Sequence, residues 1–63
     1  MTVKDFTNHT IGTQLVGLED TKRREIIFLG TVEKLEQNNE LLKREIYFFT
    51  AYDFQNRILI RIK

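Results

Sequence analysis

Five of the seven aromatic residues fall within eight positions, as Tyr47, Phe48, Phe49, Tyr52 and Phe54, and Arg57-Ile58-Leu59-Ile60-Arg61-Ile62-Lys63 follows at once. Successive side chains of a strand point to opposite faces. A strand through Tyr47, Phe48 and Phe49 is therefore apolar on both, and so is one through Ile26-Ile27-Phe28-Leu29. The chain of 63 residues makes a single domain, residues 1–63, and buries only about 60% of the surface its unfolded form exposes. Two short helices can cover one face of a small sheet. The other face is then expected to leave a large apolar patch in water, which monomers seldom do. A partner protein or a second copy should cover it. The competing expectation is a strongly curled sheet that wraps its own core.

Several chemistries lack their parts. There is no cysteine and no serine, so disulfides, thiolate zinc sites and the usual nucleophile–base pairs are missing. His9 is the one histidine and reads as an exposed residue at a helix end. A domain of this size also lacks walls for a substrate pocket. The expectation is a non-enzyme with no metal and no cofactor.

Ten Lys plus Arg nearly cancel nine Asp plus Glu, whereas a dedicated duplex-DNA binder carries a clear basic excess. The charges are clustered, however. Lys22-Arg23-Arg24 is a basic knot, Arg57, Arg61 and Lys63 stripe the C-terminal segment, and Glu33, Glu36 and Glu40 form an acidic set between them. No apolar run approaches the roughly 20 residues of a membrane span, and Met1-Thr2-Val3-Lys4-Asp5 does not open a signal peptide. A soluble, cytoplasmic protein without a membrane partner is expected.

Along the chain, Thr2-Val3-Lys4-Asp5 has the spacing of a helix N-cap with an acid three residues on, and the helix should end between Asn8 and Gly12. Thr13 to Leu18 reads as a strand with Val16 and Leu18 on one side, Glu19 to Lys22 as a turn, and Arg24 to Leu29 as the second strand of an antiparallel hairpin. Thr31 can cap a helix from Val32 to about Lys43, broken or loosened at Asn38-Asn39. Glu45 to Asp53 and Arg57 to Lys63 form a second hairpin across Phe54-Gln55-Asn56, with Ile58, Ile60 and Ile62 facing one way. The fold class is α+β: a four-stranded antiparallel sheet from two hairpins, in the order ββαββ after a short N-terminal helix. The alternative makes Asn38-Asn39 a hairpin turn and gives a small all-β barrel of Sm or SH3 type.

Thr2-Val3-Lys4-Asp5-Phe6, Leu29-Gly30-Thr31-Val32-Glu33, Asn39-Glu40-Leu41-Leu42-Lys43-Arg44-Glu45 and the Ile58-Leu59-Ile60 end together resemble small uncharacterised α+β proteins of Gram-positive bacteria and their phages. The resemblance covers most of the chain but departs from the pattern in the Lys22-Arg23-Arg24 turn and in the aromatic load. It implies a phage or mobile-element setting and the host cytoplasm, and no activity.

Aromatic and arginine side chains are the common anchors of protein interfaces, which singles out Tyr47, Phe49, Arg57 and Arg61 on the uncovered face. The expected function is to bind and modulate, by inhibition, a host protein such as a defence or DNA-processing enzyme. Two alternatives use the same strands. One is a nucleic-acid-binding regulator, with Lys22, Arg23, Arg24 and Lys63 on phosphates and aromatic rings on bases. The other is a structural homodimer that consumes the face by self-pairing.

Overall fold

The computed structural model describes residues 1–52 and 56–63, with Thr50, Ala51 and Tyr52 placed by backbone alone. Helix α1 spans Val3–Asn8. Its capping box is complete: the Thr2 hydroxyl accepts from the Asp5 amide at 3.2 Å, and the Asp5 carboxylate accepts from the Thr2 amide at 3.0 Å. Two of the free amides at a helix start are satisfied this way. Strands β1 (Leu15–Asp20) and β2 (Glu25–Thr31) form an antiparallel hairpin. Helices α2 (Val32–Leu35) and α3 (Asn39–Leu42) follow, and then strands β3 (Ile46–Tyr52) and β4 (Ile58–Ile62) form the second antiparallel hairpin. Both hairpins lie within a residue or two of the positions expected, except that β1 is shifted toward its turn and β2 runs on to Thr31.

The expected helix from Val32 to Lys43 is two single-turn helices. Thr31 starts the first, its hydroxyl accepting from the Lys34 amide at 3.2 Å. That helix ends at Leu35 with Glu36 as its C-cap, and Asn38 starts the second, its side-chain oxygen accepting from the Leu41 amide at 3.1 Å. An asparagine that bonds the backbone locally competes with helix continuation. The Asn38-Asn39 hairpin turn of the barrel alternative is not formed, because 39–42 is helical.

The sheet is mixed, not antiparallel throughout. Its order is β2-β1-β4-β3, and the inner pair β1 and β4 is parallel, with Leu18 beside Ile60 and Asp20 beside Ile62. The reason is the return path. The segment holding α2 and α3 carries the chain back to the end where β2 began, so β3 runs parallel to β2, and their hairpin mates share the opposite direction.

All three helices pack on one side of the sheet. Val3 and Phe6 from α1, Val32 and Leu35 from α2, and Val16, Leu18, Ile60 and Ile62 from the inner strands make the buried core. Each fully buried Leu, Ile or Val contributes about 1.5–3 kcal/mol. The start of β3 is sheltered by the N-terminus: the Ile46 amide donates to the Met1 carbonyl and the Val3 amide to the Arg44 carbonyl, both at 2.9 Å.

Candidate functional site

Among the described residues, no helix covers the second face of the sheet. Registers fix what lies on it. Gly17 sits at its middle, beside Leu29 of β2 and Leu59 of β4. Leu15 and Glu19 flank Gly17 along β1, and Glu19 opposes Ile26 on one side and Arg61 on the other. Leu29 is 54% exposed, against 0% for Leu18 one strand away on the covered face. Leu15 and Ile26 are exposed as well. The strongly curled alternative is therefore not adopted.

Gly17 lets its neighbours close over the middle of this face. A Cβ there would stand 2.9 Å from Leu59 Cδ2 and 3.0 Å from Leu29 Cδ2, with Arg57 Cδ at 3.7 Å. The two leucines and the stem of Arg57 fold over the bare backbone, so the glycine itself is buried without any helix above it. A strand glycine commonly marks such a close approach.

At one end of this face Arg61 is held from two sides. Its Nε donates to Glu19 Oε1 at 3.0 Å, and its guanidinium carbon lies 5.0 Å from the Phe48 ring centroid. Phe48 in turn meets Tyr47 edge-on at 5.7 Å. A row of Ile26, Glu19, Arg61 and Phe48 thus crosses all four strands.

The expected anchors are divided by a β-bulge. Strict alternation would put Tyr47 and Phe49 on one face and Phe48 on the other. The register shifts between Ile46 and Phe48 instead, so the strand carries one extra residue there. Phe48 opposes Arg61 on the open face, while Phe49 opposes Ile60 on the helix side and meets Phe6 at 5.7 Å. Phe49 is on the other side, while Arg57 and Arg61 share the open face with Phe48, against which Tyr47 packs. Leu15, Leu29 and Leu59 belong to the same surface. Alternation already places Leu15 and Leu59 there, whereas nothing in residues 46–48 announces the bulge. Tyr52 belongs to β3, and Phe54 lies outside the described residues.

The basic residues of the β1–β2 turn are gathered at the end of the sheet where β4 finishes. Thr21 donates twice to the Ile62 carbonyl, from its amide at 3.0 Å and its hydroxyl at 2.8 Å. Lys63 therefore lies at the same end of the sheet as Lys22, Arg23 and Arg24. Asp20 organises the turn from beneath: its Oδ1 accepts from the Lys22 and Arg23 amides at 2.9 and 3.2 Å, and its Oδ2 from Arg44 at 3.1 Å. The Arg23 amide, then the Arg44 guanidinium, hold the Asp20 carboxyl below the usual aspartate range, against the opposing effect of burial.

Elsewhere, an open groove between α1 and α3 is lined by Thr2, Lys4, Asn39, Leu42 and Lys43. His9 is exposed at the end of α1, its Nδ1 2.8 Å from the Asp5 carbonyl oxygen. Among the described residues, no group of three or more His, Asp or Glu side chains could hold a metal ion, and no helix is long and apolar enough to cross a membrane. No protein family, curated protein or solved structure matches this chain.

Proposed function

We propose that this chain is a non-enzymatic docking module that binds another protein through the open face of its sheet and alters that protein's activity. One observation supports the reading above the others: an apolar centre of Leu15, Leu29 and Leu59 around Gly17, bordered by Arg57, Arg61, Phe48 and Tyr47. Apolar centres with aromatic and arginine borders are the usual anatomy of protein interfaces. Helices already occupy the other face, so binding through the open one disturbs nothing in the core. A module of this kind acts by occupying its partner's surface, and inhibition of a host enzyme is the use proposed. The phage or mobile-element setting rests on the sequence resemblance alone.

The test is a double substitution at the centre of the face, Leu29→Lys with Leu59→Lys, with thermal unfolding to establish that the fold is kept. The wild-type chain, tagged, should retain a specific protein from host extract that the folded variant releases. Retention of the same proteins by the variant would refute the reading. Light scattering separates the homodimer: a mass of two chains that survives dilution, and that the same pair of lysines abolishes, assigns the face to a second copy.

A further inference from the structure

We infer that the β1–β2 turn and the end of β4 form a second binding surface, one that takes the phosphate backbone of a single-stranded nucleic acid. It lies at one end of the sheet and is separate from the apolar centre of the docking face.

Backbone strain is the first reason. The turn is a four-residue loop, 21–24, closed by the Arg24 amide on the Asp20 carbonyl at 2.8 Å. Its last residue, Arg24, has a φ of 55°. That left-handed position suits glycine or asparagine and is costly for a long side chain. Strain kept where a cheaper residue exists points to a use for the side chain.

Rigidity is the second. Asp20 beneath the loop and Thr21 on the Ile62 carbonyl fix the backbone from which Lys22, Arg23 and Arg24 project. Charges on a fixed frame lose less freedom on binding than charges on a mobile loop.

The third is the charge left over. The side-chain acids at this end are matched: Asp20 by amides and Arg44, Glu19 by Arg61, Glu25 by Arg23 at 3.6 Å, and Glu45 by the N-terminal amine at 3.6 Å. Lys22, Arg24 and Lys63 are exposed and make no ion pair among the described residues. A polyanion meets three uncommitted cations and a fourth, Arg23, in a weak exposed pair.

An aromatic border decides between polyanions. Tyr47 lies one residue beyond Ile46, which opposes Ile62, and is 58% exposed. Its ring therefore stands at the same end of the sheet as Lys63. Phosphates on the cations and an unpaired base on Tyr47 is the arrangement of single-strand binders. An acidic protein surface would use the cations but has no need of the ring, and duplex bases offer no free face to it.

The experiment is fluorescence anisotropy with a labelled single-stranded oligonucleotide of about 15 nucleotides, its duplex, and a polyglutamate peptide. The single strand should bind tightest, with affinity falling on a log–log salt plot with a slope of about 3 for four phosphate contacts. The triple variant Lys22→Ala, Arg24→Asn, Lys63→Ala should lose about tenfold or more at low salt and lower the slope by about 2. Arg24→Asn alone should weaken binding while raising the melting temperature, because asparagine tolerates the left-handed backbone. A simple folding defect cannot produce that opposition of signs. No binding at low salt overturns the inference, as does equal binding by wild type and triple variant. Tighter binding of polyglutamate overturns it in favour of an acidic protein. Failure of any of these leaves the docking face untouched, since Leu29 and Leu59 take no part.

Discussion

Leu18 and Gly17 are neighbours on one strand and have opposite surroundings. Leu18 is sealed under the helices, within a buried core built from four elements. Gly17 is sealed by the ends of Leu29 and Leu59 and the stem of Arg57, of which Leu29 is exposed and the other two are half-buried. One face is thus closed by helices that cannot leave without unfolding the domain. The other is closed by side-chain termini that can turn aside. The difference separates the part of the molecule that supplies stability from the part free to bind.

The sharpest way to break that division is to truncate a leucine on each face. Leu18→Ala should cost about 2–5 kcal/mol, the range for cavities in a packed core, which is a large share of what so small a domain has. Leu29→Ala should cost less than about 1 kcal/mol, since the side chain is half exposed and leaves no enclosed void. Urea unfolding of both variants measures the gap. Equal losses would mean that something already covers the open face in solution, and a dependence of both on protein concentration would identify a second copy.

Next in size is the acid side of the stability curve, set by Asp20 on the covered side. Its folded pKa lies below its unfolded value because the Arg23 amide and Arg44 stabilise the carboxylate. Its contribution is therefore complete above the unfolded value of about 3.9 and disappears as pH falls from there through the folded value. Unfolding curves of wild type should drop steeply below about pH 4. Asp20→Asn should be less stable at neutral pH and show a shallower acid limb. An unchanged limb in the variant would mean that other carboxylates, Asp5 in its capping box first among them, carry the acid sensitivity.

Much of this division was legible in the sequence. The isoleucines at 58, 60 and 62 alternate, and Ile60 and Ile62 are in the core. Thr2 and Thr31 cap the helices that their spacing announces, and the excess of apolar strand surface over helix foretold an uncovered face. What stayed hidden depends on contacts distant in the chain. The parallel pairing of β1 with β4 follows from the path of 32–45 over the sheet, and strand alternation is the same in either direction. The bulge at 46–48 exchanges Phe48 for Phe49 because a single extra residue inverts every later side chain. Leu29 was recognised only as part of a strand greasy on both sides, since its face is fixed by the register shift between Leu18 and Glu19.

Loss of a cap is smaller again. Thr2→Ala removes the acceptor for the Asp5 amide and should cost about 1 kcal/mol. The open face should be unaffected, so partner binding by the folded variant stays at the wild-type level. A binding defect here would show that α1 and the open face are coupled through Phe6 and Phe49, whose rings meet at the edge of the sheet.

The smallest expected effect on stability is also the most telling about the face. Gly17→Ala puts a methyl group against Leu59 Cδ2 and Leu29 Cδ2, both free ends of exposed or half-exposed side chains. These ends can rotate outward, and alanine recovers about 0.5–1 kcal/mol of backbone entropy relative to glycine. The two effects oppose each other, and the net change in unfolding free energy should lie within about 0.5 kcal/mol. Binding should respond differently, because leucines pushed outward roughen the surface a partner must match. Near-wild-type stability with weakened docking is the expected pair of results, read by urea unfolding and by retention of the partner. A loss of stability approaching that of Leu18→Ala would mean that Leu29 and Leu59 are as firmly held as the core. The open face would then belong to the scaffold, and the division between a stabilising side and a binding side would fail.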